Sequence, residues 1–177
     1  MQFHEREVAV LIGEEALQAR IRALGVEIAR DYQGKELTVL AVLKGAVFFA
    51  TDLARSVDLP LTMDFLGVSS YQGGTETTGE VRITSDVTKP MAGKDILVVE
   101  DIIDTGLTMK FLLENLRARQ PASVKVCTLL EKPTRARTKI EIDYKGFVID
   151  DQFVVGYGLD FADRFRNLPF IGVMKGR

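Results

Sequence analysis

Leu37-Thr-Val-Leu-Ala-Val-Leu43 is apolar at every position but Thr38. The run is far too short for the ~20 residues of a membrane-spanning helix. It also lacks the period-two alternation of a strand with one wet face. It suits a strand buried on both faces, as in a parallel sheet covered by helices on either side. Lys44-Gly45 ends the run, and Ala46–Val57 reads as a helix returning along the sheet. The same alternation recurs. Glu14–Arg30 carries Leu17, Ile21, Leu24 and Ile28 at helical spacing, one apolar face. Leu61–Val68, Ile96–Val99 and Val124–Leu130 read as further buried strands. Gly106–Gln120 reads as a helix with Met109, Leu112, Leu113 and Leu116 on one face, stopped by Pro121. Val81–Thr84, Phe153–Tyr157 and Ile171–Met174 read as short strands. The expected fold class is α/β, a mostly parallel central sheet flanked by helices. With no repeat, low-complexity tract or linker, residues 1–177 are read as a single domain.

Composition removes several function classes. At 177 residues with 46% hydrophobic and 27% charged residues, the chain is an ordinary globular domain. The net charge of −2 is not that of a general nucleic-acid binder. No apolar run approaches a membrane span and the N-terminus does not resemble a signal peptide, so a cytoplasmic protein is expected. The single Cys127 lies in an apolar run and reads as a core thiol. His4 is the only histidine and sits beside the terminus. That disfavours a histidine-based nucleophile system, and one His with one Cys excludes a structural zinc site. Catalysis would have to run on carboxylates, Lys, Tyr, backbone amides and a hard metal.

The chemistry concentrates in Ile96-Leu-Val-Val-Glu-Asp-Ile-Ile-Asp-Thr-Gly-Leu-Thr108. An apolar strand runs into Glu100-Asp101, and Asp104-Thr105-Gly106 leads into a helix. Ligands of open α/β sheets bind at the carboxyl ends of the strands. The turn is therefore expected to gather three carboxylates and a helix N-terminus in one crevice. The free amides and hydroxyls of Thr105–Thr108 suit a phosphate. Glu100 and Asp101 would repel it, so they are assigned to a vicinal diol or a Mg²⁺ ion. Phosphate, diol and metal together point to a phosphorylated ribose. The plainer alternative is an acidic helix cap with Asp104 or Thr105 as the cap. An Asp-Thr-Gly of the aspartic-protease kind belongs in an all-β fold, which the following helix argues against. Ser69–Glu80 is polar, holds three glycines and no aliphatic residue, and reads as a loop of the lid kind.

Val98-Val-Glu-Asp-Ile-Ile-Asp-Thr-Gly-Leu-Thr108 resembles the phosphoribosyl-pyrophosphate loop of type I phosphoribosyltransferases, and in detail that of the hypoxanthine-guanine phosphoribosyltransferases. Leu43-Lys44-Gly45 is similar to their pyrophosphate loop and Ser69-Ser70-Tyr71 to the start of their closing lid. Leu130-Glu-Lys132-Pro resembles their purine-contacting segment. Phe153-Val-Val-Gly-Tyr-Gly-Leu-Asp160 and Phe165-Arg166-Asn-Leu168 resemble their C-terminal hood. The likeness spans about residues 8–175, with the motifs in the family's order.

The resemblance implies a fold with a small hood built from the N-terminal and C-terminal segments. It implies transfer of a 5-phosphoribosyl group from 5-phosphoribosyl 1-pyrophosphate to N9 of hypoxanthine or guanine, giving IMP or GMP and pyrophosphate, with Mg²⁺ as cofactor. Asp104 is the implied proton acceptor near purine N7. Thr105, Gly106, Leu107 and Thr108 would cradle the 5′-phosphate; some relatives carry a basic residue where this chain has Leu107. Glu100 and Asp101 would bind the ribose hydroxyls and a first Mg²⁺, and Asp160 a second through pyrophosphate. Lys44 and Gly45 would shape the pyrophosphate site, behind a peptide that is often cis in this family, and Arg166 would contact pyrophosphate. Lys132 would donate to the purine 6-oxo oxygen, Phe153 would stack on the base, and Val154 would offer backbone groups to its 2-position edge. Ser70 and Tyr71 would belong to the lid. Arg135, Arg137 and Lys139 follow Lys132 and read as a solvated basic face. The implied partners are these small molecules and a second copy of the chain, as a dimer or tetramer, with no nucleic acid and no membrane. The sequence leaves two rivals open: a ligand-sensing regulator on the same fold, and a sister enzyme taking adenine, xanthine or orotate.

Overall fold

A computed structural model describes residues 8–70 and 81–175 of the chain. Its elements, in order, are β1 (Val8–Ile12), α1 (Glu14–Asp31), β2 (Leu37–Leu43), α2 (Val47–Ser56), β3 (Leu61–Ser70), β4 (Val81–Ser85), β5 (Asp95–Ile103), α3 (Leu107–Arg117), β6 (Ser123–Glu131), β7 (Tyr144–Val148), β8 (Val154–Val155) and β9 (Ile171–Met174). Six strands form the main sheet in the order β4-β3-β2-β5-β6-β7. All neighbours pair in parallel except β4, which runs antiparallel to β3. A second sheet, β1-β9-β8, is antiparallel throughout and joins the two ends of the chain. This is the α/β sheet with a small hood that the sequence implies.

The double burial of β2 follows from its alternation. Val39 and Ala41 face α1 and α2, together with Leu97 and Val99 of β5. Leu40 and Val42 face α3, together with Ile96 and Val98. Helix α1 presents Leu17, Ile21, Leu24 and Ile28 to the first of these cores, all fully buried. Val154, Tyr157 and Ile171 belong to that same core, so the small sheet is packed onto the large one through shared side chains. Cys127 lies in it too, fully buried, and burial pushes its thiol above the ordinary range. It is a core residue, as expected.

After β2 the chain moves to one side, to β3; after β5 it moves to the other, to β6 and β7. The order of strands therefore reverses between β2 and β5. Neighbouring crossovers leave a crevice at the carboxyl ends of such a pair, where ligands of open α/β sheets bind. Here those ends are Leu43-Lys44-Gly45 and Glu100–Asp104.

Two strands are not assigned from the sequence. Val8–Ile12 and Tyr144–Val148 are edge elements, one in each sheet. The sequence reading also ends β5 too early, at Val99; the ladder with β6 continues to Ile103, paired with Glu131. Glu100 and Asp101 therefore lie within the strand, not in the turn after it.

Leu97 is fully buried at the middle of β5, between β2 and β6. Leu97→Ala should lower stability by about 2–5 kcal/mol, measured by urea unfolding. A loss under about 1 kcal/mol, below that range, would mean that the core collapses around the gap.

Candidate active site

The turn after β5 is held from outside. Arg137 N and Thr138 N both donate to Thr105 O, at 3.0 and 3.2 Å. Gly106 precedes α3 with a left-handed φ of 79°, and a side chain there would meet Thr138 O. Glycine is thus required on two counts. Helix α3 has no side-chain cap on Gly106; Leu107 N makes a long 3.4 Å bond to Thr105 Oγ1. Its free amides open on a cavity of about 80 Å³ lined by Glu100, Ile102, Asp104, Thr105, Gly106 and Thr108, among others. An anion fits such a helix terminus. Asp104 does not cap the helix, its Oδ1 lying 2.9 Å from Arg135 Nε, so of the two capping candidates Thr105 alone remains, through the long bond from Leu107 N.

Glu100 and Asp101 are both buried. Burial pushes both carboxyls up, and for Glu100 the neighbouring Asp101 charge pushes further, to well above the ordinary carboxylate range. Hydrogen bonds to Asp101, among them Ile102 N at 2.8 Å, oppose the rise there. Asp101 lies hard against the turn after β2: a side chain at Gly45 would collide with its Oδ2. The Leu43–Lys44 peptide in that turn is cis. From the other side, a side chain at Gly158 would run into Gly45 O. Gly45 is therefore clamped between β5 and the hood with no room for a side chain.

The hood turn is tightly folded, with Tyr157, Ala162, Asp163 and Phe165 all at left-handed φ. Tyr157 OH donates to Asp52 on α2, where Gln18 of α1 also donates, at 3.0 Å. Arg166 Nη1 donates to Gly158 O at 2.6 Å, and its Nη2 pairs with Asp160 at 2.6 Å and Asp163 at 3.4 Å. Lys44 Nζ stands 3.8 Å from Asp163. Lys44, Asp160 and Arg166 thus gather on one rim, as the sequence implies. Phe153 leaves 45% of its surface exposed and meets Phe161 edge-on, while Val154 is buried. Lys132 is only 6% exposed; its backbone N donates to Ile103 O at 3.0 Å and its Nζ stands 3.9 Å from Asp151.

Among the described residues, no three His, Cys, Asp or Glu side chains converge as a metal cage. The buried Glu100-Asp101 pair still supplies the hard oxygen donors that Mg²⁺ prefers, and the two repelling carboxyls have reason to accept a cation. Such an ion would complete its shell with ligand oxygens and water. Ser69 and Ser70 extend β3 instead of opening the loop. Tyr71 and the rest of the expected lid, up to Glu80, lie outside the described residues.

Sequence reasoning misses two residues. Arg135 reads as part of a solvated face, yet it bridges Asp104 and Asp151. The available signal is Pro133: a proline straight after a buried strand turns the chain, here into a single 3₁₀ turn, Pro133–Arg135, that brings the arginine back. Asp52, the anchor of Tyr157, lies on a helix face with nothing in its spacing to mark it.

Removing a charge from the buried pair should stabilise the unliganded protein. A carboxyl raised by the fold keeps a proton that the unfolded chain has lost, so its contribution to stability falls as pH rises through that window. Glu100→Gln should raise Tm, and its advantage over wild type should grow as pH rises above about 4, the ordinary glutamate value. Each kcal/mol corresponds to about 2–4 °C in a chain this size. A Tm difference that is flat with pH, followed by calorimetry, would show that Glu100 is not the strained member.

A family model, the phosphoribosyl transferase domain, matches residues 12–162. The bifunctional protein TilS/HprT of Listeria monocytogenes is 51% identical over 166 residues, 94% of this chain but 26% of that protein. The chain therefore spans about a quarter of the length of the Listeria relatives. The hypoxanthine-guanine phosphoribosyltransferase of Bacillus subtilis is 47% identical over 175 residues, covering 99% of this chain and 97% of that protein. A crystal structure of a hypoxanthine phosphoribosyltransferase from Staphylococcus aureus superposes with a TM-score of 0.92 at 46% identity, over 97% of this chain and 94% of that one. With its cradle at the carboxyl end of β5 and its hood above, the chain belongs to the phosphoribosyltransferase family.

Proposed function

We propose that the chain is a purine salvage enzyme, transferring the 5-phosphoribosyl group of 5-phosphoribosyl 1-pyrophosphate to N9 of hypoxanthine or guanine. The observation that carries this reading is Lys132: a nearly buried cation that lines one cavity together with Asp104, the residue that also lines the anion cradle of α3. A lysine ammonium only donates. Hypoxanthine and guanine carry an acceptor oxygen at position 6, and Asp104 can take the proton released at N7 as the ring becomes a nucleoside. The half-exposed Phe153 ring suits stacking on the base, and the Val154 backbone its 2-position edge.

The 5′-phosphate would rest on the amides of Thr105–Thr108, and the ribose hydroxyls on Glu100 and Asp101. Lys44, Gly45 and Arg166 would receive the pyrophosphate by exchanging the acids Asp163 and Asp160 for its oxygens. Ser70 and Tyr71 would close the site against water, which would otherwise capture a ribosyl oxocarbenium ion. Mg²⁺ bound near Glu100 and Asp101, and near Asp160, would supply charge neutralisation on the diphosphate.

We also propose that residues 1–177 work as one domain, in the cytoplasm, and that copies associate as dimers or tetramers. No described helix is long and apolar enough to cross a membrane. Phe48 and Phe65 are exposed aromatic residues on α2 and β3 that an interface would cover.

A panel of bases with 5-phosphoribosyl 1-pyrophosphate, followed by pyrophosphate release, tests the assignment. Hypoxanthine and guanine should be used and adenine poorly; sites built around a required hydrogen bond discriminate by ~10⁴-fold or more. Lys132→Ala should lower kcat/KM for hypoxanthine far more than for adenine. Equal use of adenine by the wild type sinks the base assignment, and an unchanged ratio in the variant means another group reads position 6. Chelation of divalent metal should abolish turnover; full activity in excess chelator would remove Mg²⁺ from the scheme.

A further inference from the structure

We infer that Arg135 is a positioning residue for the proposed reaction, clamping one oxygen of Asp104 so that the rest of the carboxylate faces the purine. The inference rests on the assignment of Asp104 as proton acceptor. It begins with an asymmetry within that side chain. Oδ1 of Asp104 is buried and makes no hydrogen bond, while the side chain as a whole keeps 38% of its surface exposed. Arg135 Nε stands 2.9 Å from that oxygen, an ion pair without hydrogen-bond alignment. A buried charged oxygen left without a counter-charge is costly, and Arg135 supplies that charge.

Arg135 is itself held from three directions. Pro133 opens its turn, Arg135 N donates to Lys132 O at 3.2 Å, and Lys132 N donates to Ile103 O at 3.0 Å, one residue before Asp104. Two and three residues on, Arg137 N and Thr138 N donate to Thr105 O, one residue after Asp104. The arginine-bearing turn is thus stitched to the backbone on both sides of the carboxylate. The third hold is a side chain: Arg135 Nη1 donates to Asp151 Oδ1 at 3.3 Å, and Lys132 Nζ stands 3.9 Å from the same oxygen. Asp151 lies in the stretch between β7 and β8, two residues before Phe153. One chain of charges, Asp104–Arg135–Asp151–Lys132, therefore links the group proposed to take the N7 proton to the group proposed to read position 6. Those two ring positions are adjacent on the same side of the purine. Fixing the distance between their readers fixes the base in register. A guanidinium is well suited to such a clamp, because it stays charged and offers several donors in a rigid fork.

The test measures single-turnover rates and KM values for Arg135→Gln, Arg135→Lys, Asp104→Asn and the double variant Asp104→Asn/Arg135→Gln. Misplacing a reacting group by about 1 Å can cost ~10²-fold, so Arg135→Gln should slow the chemical step about 10- to 100-fold. KM for 5-phosphoribosyl 1-pyrophosphate should stay within about twofold, a split that general loosening of the fold would not give. Arg135→Lys should recover part of the loss. The double variant should be no slower than Asp104→Asn alone, because the clamp has nothing left to position. An Arg135→Gln rate within twofold of wild type, or losses that multiply in the double variant, would overturn the inference while leaving Asp104 its role. A wild-type rate in Asp104→Asn would instead overturn the proton-acceptor reading on which it stands.

Discussion

Everything in the crevice depends on one close approach, that of Gly45 to Asp101. The last residues of β5 carry two buried acids past the end of β2, and the turn there leaves no space for a β-carbon. The same glycine meets the hood at Gly158 on its other side. Three segments far apart in sequence are thereby stacked at the point where strand order reverses. If the Gly45 backbone moved outward, the Asp101 carboxyl would lose its wall and the hood its seat. The shared core of α1, α2 and the small sheet, with Tyr157 bonded to Asp52, holds that stack closed.

The cost of the arrangement is electrostatic. Burial opposes the ionised forms of both Glu100 and Asp101, and Asp101 further opposes that of Glu100. Such a pair works against the stability of the free protein, which supports the proposed binding role. Around it, the cations are already engaged: Arg166 with Asp160 and Asp163, Lys44 with Asp163, and Arg135 with Asp104 and Asp151. The Lys44–Asp163 pair on the hood rim is exposed and of small individual worth, and can be given up for phosphate oxygens at little cost. The Arg135–Asp104 pair differs because it ends on a buried oxygen.

Most of this was legible in the sequence because strong signals coincide. The all-apolar β2 demanded two covering layers, and the apolar approach of β5 to Glu100-Asp101 placed the chemistry at a strand end. The helix face of α1 was readable to within a residue at its C-terminal end, Asp31 against an expected Arg30. The missing parts have physical reasons. Of the two extra strands, β7 sits at a sheet edge, where one partner and partial solvent exposure erase the pattern, whereas β1 is an apolar run, Val-Ala-Val-Leu-Ile, left unassigned although the sequence carries it. Tyr144-Lys-Gly-Phe-Val148 even carries a glycine, which normally weakens a strand; here a side chain at Gly146 would strike Leu129 O of the neighbouring strand. The early end assigned to β5 came from reading charge as loop. Two consecutive acids look like a turn, and only the parallel ladder to β6 shows them buried within the strand.

Arg135 illustrates the limit of reading charges one at a time. In sequence it is one of four cations between Lys132 and Lys139, and such runs are usually solvated. What separates it from Lys139 is the backbone around it. The bonds from residues 132, 137 and 138 to the carbonyls flanking Asp104 bring this part of the run back toward the strand end. Within it, the side chain at position 135 meets the Asp104 carboxylate. The specificity of the purine pocket would then come less from the chemistry of any single side chain than from the rigidity of that short turn. A lysine at 132 supplies a donor in any conformation, but it can discriminate between an oxo and an amino group only if it cannot swing away. Its near-complete burial, and the carboxylate it shares with Arg135, are what deny it that freedom.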